Sequence, residues 1–201
     1  MNNILALETT DRVASVALLT DGGCFEKRIE SPLRHEETVM PAVDQLLAEA
    51  GLAPADLTAL AVDVGPGSFT GVRIGVCHGN AMALALGLPI VSVNALAALA
   101  YPLLGGDRPV AAVIDARNGN GYGALYASNG EALIPPCAME IGPFLERLPE
   151  NVILTGTGFP GADGALPLAG SIARMAAKRT GERTASPLYL RPSQAERKQQ
   201  A

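Results

Sequence analysis

Two carboxylates stand at matching places in this chain. Glu8 ends the apolar run 4–7, and Asp115 ends the apolar run 110–114. A polar turn follows each acid, then a second apolar run, then a glycine turn: Asp21-Gly22-Gly23 in one half and Ser128-Asn129-Gly130 in the other. The spans 8–21 and 115–129 differ by one residue. If a pseudo-dyad relates the halves, two acids facing a cleft could hold a magnesium-bound nucleotide through water, with Thr9 and Thr10 beside Glu8. The competing reading is that each acid caps its own turn by accepting backbone amides.

The second candidate is the turn Gly65-Pro66-Gly67-Ser68-Phe69-Thr70-Gly71. Ser68 is not in a nucleophile elbow, because Pro66 and Thr70 stand where the two flanking glycines belong. No lysine follows to complete a phosphate loop, and the dinucleotide pattern is only half met by Gly65 and Gly67. A glycine turn before a helix still presents amides to an anion, which makes Gly67 and Ser68 anion candidates; the structural reading is a turn that holds strand against helix. The histidines, His35 and His78, have no ligand partner at a metal-binding spacing.

These residues need elements to position them. The run ending at Val64, the glycine turn, an apolar pattern through Gly87 and the run after Pro89 read as strand, turn, helix and strand. Ser68 or Thr70 could cap that helix. Along it, Gly71, Gly75, Gly79, Ala83 and Gly87 recur every fourth residue. Each helical glycine costs roughly 1 kcal/mol against alanine, so the row implies close approach of another backbone. A second helix over 36–50 carries Val39, Met40, Val43, Leu46 and Leu47 on one stripe. Two readings stand: both helices pack internally, or Met40, Val43 and Leu47 with Gly71, Gly75, Gly79 and Ala83 form a partner interface.

Further elements are a hairpin over 13–30, strands over 110–115, 122–127 and 151–155, and short helices over 143–148 and 171–178. The repeated order predicts a duplicated α/β unit, with lobes at 1–104 and 105–201 joined near Gly105-Gly106-Asp107. Residues 194–201 are polar and expected to fray.

Composition narrows the function. A net charge of −5, with no basic cluster longer than Arg197-Lys198, argues against gripping a phosphate backbone unaided. Three widely spaced cysteines fit reduced thiols rather than a disulfide framework. With no leader pattern and no long apolar run, a cytoplasmic protein without a membrane segment is expected.

The stretch 65–75, GPGSFTGVRIG, together with LALETT near the start, IDAR at 114–117, Gly156-Thr157-Gly158 and PLYLR at 187–191, resembles the TsaB (YeaZ) family. That resemblance implies a two-lobed fold of the actin, Hsp70 and sugar-kinase superfamily, RNase H-like in each lobe. It also implies a non-catalytic subunit needed for the threonylcarbamoyladenosine modification of tRNA at position 37. The implied partners are a TsaD homologue docked through the helices of the first lobe, a TsaE homologue in the same complex, a second copy when TsaD is absent, and tRNA only through the complex. No cofactor of its own is implied beyond weak ATP or ADP with magnesium at the subunit boundary. The TsaD metal-binding His-x-x-x-His falls here on Ala95 and Leu99, neither of which can bind a metal. The turn 118–121, Asn-Gly-Asn-Gly, departs from the family pattern and is expected to be looser; the second lobe is short around 156–170. The alternative function is a nucleotide-hydrolysing or phosphotransfer enzyme using Glu8 and Asp115.

Overall fold

The computed structural model describes residues 2–30 and 35–191. Ser31-Pro32, the side chain of His35 and the polar end 194–201 with Arg197-Lys198 lie outside the described residues.

The first half runs β1 (Ile4–Glu8), β2 (Ala14–Thr20), β3 (Gly23–Ile29), α1 (His35–Glu49), β4 (Ala59–Asp63), α2 (Phe69–Leu86), β5 (Ile90–Val93) and α3 (Ala95–Ala100). The second runs β6 (Val110–Asp115), β7 (Asn120–Tyr126), β8 (Ala132–Glu140), α4 (Ile141–Leu145), β9 (Ile153–Gly156) and α5 (Ala169–Ala176). The strands form two mixed sheets, ordered β3-β2-β1-β4-β5 and β8-β7-β6-β9. Without β5 the two orders coincide. In each sheet the first strand pairs antiparallel with the second and parallel with the fourth. The same unit is used twice, as the sequence echo implied, and the two mixed sheets with flanking helices agree with the fold that the family resemblance implied.

Two elements escaped the sequence reading. β8 carries Pro135 and Pro136, and its register against β7 shifts between Gly123 and Leu125. It is an edge strand, where prolines without a ladder N–H are tolerated. The other is α3, Ala-Leu-Ala-Ala-Leu-Ala, which shows no polar face because all six residues are buried. Asn94 starts it, its side-chain carbonyl accepting from the amide of Ala97 at 2.8 Å.

The first sheet has α1 and α2 on one face, packed on Leu5, Leu7, Leu18, Leu60 and Val62. Its other face, with Ile4, Ala6, Ala17 and Ala61, shares one core with Val110, Ala112 and Ile114 of the second sheet. α3 and α5 fill that shared core, and they are exchanged between the halves. α3 comes from the first half and packs on β6, β7 and β9, whereas α5 comes from the second and packs on β1, β2 and β4. Two bonds pin the start of α5 to the first sheet: Ser15 Oγ accepts from Ala169 N at 2.9 Å, and Glu26 Oε1 accepts from Gly170 N at 3.0 Å. After α5 the chain stays there, Glu182 bridging Ile90 and Asn80 holding Ala185 through both of its amide atoms. A division into 1–104 and 105–201 therefore follows the duplication in sequence but not the packing.

The glycine row of α2 also turns out differently from the interface expectation. Gly71, Gly75, Gly79 and Ala83 are buried against their own lobe. A Cβ on Gly75 would lie 2.5 Å from Thr9 Oγ1, and one on Gly79 would lie 3.0 Å from Ile90 Cδ1. Val43 and Leu47 are sealed in the same core, at 1% and 3% exposure; of the proposed interface residues only Met40 is partly open. The close approach is real, and the neighbour is the turn after β1 together with β4.

Candidate functional site

The stretches singled out in the sequence meet at the ends of β1 and β4. Glu8, the last residue of β1, accepts at Oε1 from the amide of Thr10 at 2.5 Å and from its hydroxyl at 2.7 Å. The next residues reach across to α2. Thr9 Oγ1 donates to the carbonyl of Gly71 at 2.6 Å, and the carbonyl of Thr10 accepts from Ser68 N at 2.7 Å. Gly67 is required here, because a Cβ on it would lie 2.6 Å from that same Thr10 oxygen. Ser68 caps α2, its hydroxyl accepting from Gly71 N at 3.3 Å; Thr70 is the second residue of the helix.

The structure thus brings Glu8, Thr9, Thr10, Gly67 and Ser68 together, but as a structural joint. Glu8 and Thr9 are 0% exposed and Thr10 is 2% exposed, so none of the three can touch a nucleotide. Of the anion candidates Gly67 and Ser68, the amide of Ser68 is already bonded to Thr10 and its hydroxyl is taken up as the helix cap. Asp115 does not join Glu8 across a cleft. It is exposed at the end of β6, where its Oδ1 accepts from Arg117 N at 2.7 Å, the turn-capping role.

The acid beside Glu8 is one the sequence reading passed over, Asp63. It ends β4 as Glu8 ends β1, and it too is 0% exposed. Its Oδ1 accepts from Gly65 N at 2.8 Å, fixing the entrance to the glycine turn. Burial is the chief force on both carboxyls. It pushes Glu8 up to about 8 against the hydrogen bonds from Thr10, with the charge of Asp11 adding to the rise. Asp63 is held well above the ordinary carboxylate range by burial and then by the charge of Glu8. The signal was available in the sequence: Ala61-Val62-Asp63 repeats the apolar-run-then-acid pattern used to pick out Glu8 and Asp115.

Residues 188–191 close over this joint. Leu188 N donates to the carbonyl of Val64 at 2.7 Å. The ring of Tyr189 stacks on Phe69 with centroids 4.7 Å apart, and its hydroxyl accepts from Arg73 Nε at 3.1 Å. Arg191 then crosses to the second lobe and donates to Asn120 Oδ1 at 2.6 Å. The turn 117–120 is correspondingly well held, contrary to the looser turn expected. Arg117, Asn118 and Gly119 all take positive φ, Ala116 N bonds the carbonyl of Asn120, and Ile141 N bonds that of Gly119.

Comparison with known proteins gives the same grouping. Residues 30–179 match the family profile described as "TsaD: tRNA N6-adenosine threonylcarbamoyltransferase". The chain is 36% identical over 152 residues to the tRNA threonylcarbamoyladenosine biosynthesis protein TsaB of Bacillus subtilis, covering 74% of this chain and 66% of that protein. To the Escherichia coli protein of the same name it is 35% identical over 167 residues, covering 78% and 71%. The chain belongs to the TsaB (YeaZ) family. It spans about two thirds of the length of these curated TsaB relatives. A solved Pseudomonas aeruginosa protein, described as uncharacterized with similarity to peptidase YeaZ, superposes with a TM-score of 0.83 at 31% identity, over 95% of this chain and all of the other. Within this TsaB-family chain Ala95 and Leu99, the positions that the family resemblance set against a metal-binding His-x-x-x-His, lie in α3 inside the shared core, at 0% and 4% exposure. Among the described residues no helix is long and apolar enough to cross a membrane.

Proposed function

We propose that this chain is a non-catalytic subunit of the machinery that makes N6-threonylcarbamoyladenosine in tRNA. In this reading it docks a TsaD-family transferase through the outward side of α2, with a TsaE homologue joining the complex, and tRNA is held by the assembly rather than by this chain of net charge −5. The observation that carries the reading is the composition of that outward side. Thr70, Arg73, Cys77, Ala81, Leu84 and Ala85 are exposed, and Leu84 is 86% open to solvent. A surface helix ordinarily turns charged residues outward, yet Arg73 is the one charge among these six. Its inner side is already filled by glycine packing. The apolar outer side therefore fits a partner helix. In the absence of the transferase, a second copy of the chain takes the same surface. The non-catalytic reading is supported by the candidates' engagement: Ser68 Oγ is occupied as a helix cap and Glu8 is sealed in the interior.

The test is co-purification with the TsaD homologue followed by a tRNA modification assay. Leu84→Asp should fold with an unchanged melting temperature and weaken binding at least about tenfold, which corresponds to about 1.4 kcal/mol, with modification lost in parallel. Wild-type affinity in that variant would place the partner elsewhere.

A further inference from the structure

β1 and β4 run parallel with Leu7 opposite Val62, so the next residues, Glu8 and Asp63, leave the sheet side by side. They project on the face of Ile4, Ala6 and Ala61, into the core between the sheets. Each uses one carboxyl oxygen within its turn, as described above. The other two, Glu8 Oε2 and Asp63 Oδ2, are buried and have no hydrogen-bond partner. Two neighbouring carboxylates cannot both stay ionised and unpaired in such surroundings, because burial and mutual repulsion both favour the neutral form.

Among the described residues no packed element supplies a neutralising cation: Arg12 of the same turn is exposed, and Arg191 of the closing segment is bonded to Asn120. α3 and β5 carry no charged residue, and α5 carries only Arg174, whose side chain is exposed. Arg73 and His78 of α2 belong to the opposite face of the sheet. The charge that acts on Glu8 from its own turn is Asp11, a third acid, and the one that acts on Asp63 is Glu8.

We infer that Glu8 and Asp63 form a proton-binding site, in which a single proton is held between Oε2 and Oδ2 and locks the 8–10 turn beneath the start of α2. The proton makes one side chain an O–H donor and satisfies both unpartnered oxygens at once. Removing it leaves two negative charges in the core. The first contacts to loosen are then those of the turn with α2, Thr9 with Gly71 and Thr10 with Ser68. This inference is independent of the docking role and concerns the chain alone.

The experiment follows thermal unfolding of the full chain from about pH 5 to about pH 9 in chelator, for wild type, Glu8→Gln and Asp63→Asn. The folded form retains a proton that ordinary carboxyls of the unfolded chain have released. Wild-type melting temperature should therefore fall as pH rises from the ordinary carboxylate range toward about 8, the value to which Glu8 is pushed, and level off above it. Glu8→Gln keeps the acceptor for Thr10 and offers an N–H to Asp63 Oδ2, so it should fold and flatten that decline. The double variant, with two amide groups facing each other, should lose more than the sum of the singles. Carboxyl carbon NMR of the wild type covers the case in which a variant fails to fold: one side-chain carboxyl should stay protonated at neutral pH. Overturning results are a wild-type decline no steeper than that of Glu8→Gln, or both carboxyls ionised by neutral pH. Stabilisation by added magnesium or calcium that vanishes in Glu8→Gln would equally overturn the inference, by making the site one for a metal ion.

Discussion

The hydroxyl of Thr9 and the carbonyl of Gly71 are joined by a 2.6 Å hydrogen bond, although 62 residues separate them in the chain. The bond sits where α2 lies closest to the end of β1, and glycine makes that distance possible. Gly75, one turn further, has the Thr9 hydroxyl 2.5 Å from where its Cβ would be. Gly75→Ala should therefore lower stability by about 1–3 kcal/mol through overpacking, measured as a shift in urea midpoint at constant slope. Gly75→Leu should not give a folded chain. Loss of partner binding in that variant would thus report on folding, and Leu84→Asp is the cleaner probe of docking.

Tyr126 gives a prediction at high pH. Its ring is buried in the shared core, and its hydroxyl donates to Asn94 Oδ1 at 3.3 Å. Burial pushes its phenol up to about 12, with the Asn94 bond opposing the shift. The folded form therefore keeps a proton that an unfolded tyrosine gives up near its ordinary value of about 10. The stability that Tyr126 contributes is complete below about pH 10 and declines as pH rises toward about 12. Ultraviolet titration should show one tyrosine ionising late, and Tyr126→Phe should remove that step.

The loop after β9 has its own anchor, Asp163. Although desolvation works against it, its carboxyl lies below the usual range because the amides of Gly156 and Ala165 and the hydroxyl of Thr155 all donate to it. Asp163→Ala should cost on the order of 1 kcal/mol at neutral pH. The difference from wild type should shrink as pH falls through the depressed value, because the protonated carboxyl no longer accepts as strongly. Urea unfolding at two pH values checks both the size and the sign.

Tyr189 is half exposed, so its contacts add more to position than to stability. Tyr189→Ala removes the ring stacked on Phe69 and the acceptor for Arg73. A change in unfolding free energy of under about 1 kcal/mol is expected. Limited proteolysis within 186–191 should nonetheless accelerate markedly, with the first cleavage mapped by mass spectrometry.

Much of this architecture could be read from residues. The matched acids Glu8 and Asp115 revealed the duplication, and alternation with glycine turns located the hairpins. Ser68 and Gly87 marked the ends of α2, and both are observed as caps. Less legible was anything set by tertiary neighbours. The glycine row says that a backbone comes close but not whose, and here it belongs to Thr9 of the same lobe. α3 has no periodicity to detect because every side of it is covered. Asp63 carried the same pattern as Glu8, but its burial arises only when β1 and β4 become neighbours, which no local window contains. The course of 182–191 back over the first lobe was equally hidden, since its short stretch around Pro187 carries no helical or strand periodicity and reads as a tail.

The exchange of α3 and α5 has a consequence for any attempt to divide this protein. Severing the chain at Gly105-Gly106 would leave one piece with a naked face on its sheet, including Ile4, Ala6 and Ala17, and the other with Val110, Ala112 and Ile114 unsheltered. Each fragment should precipitate when made alone, and the two should recover a soluble 1:1 particle only when synthesised together.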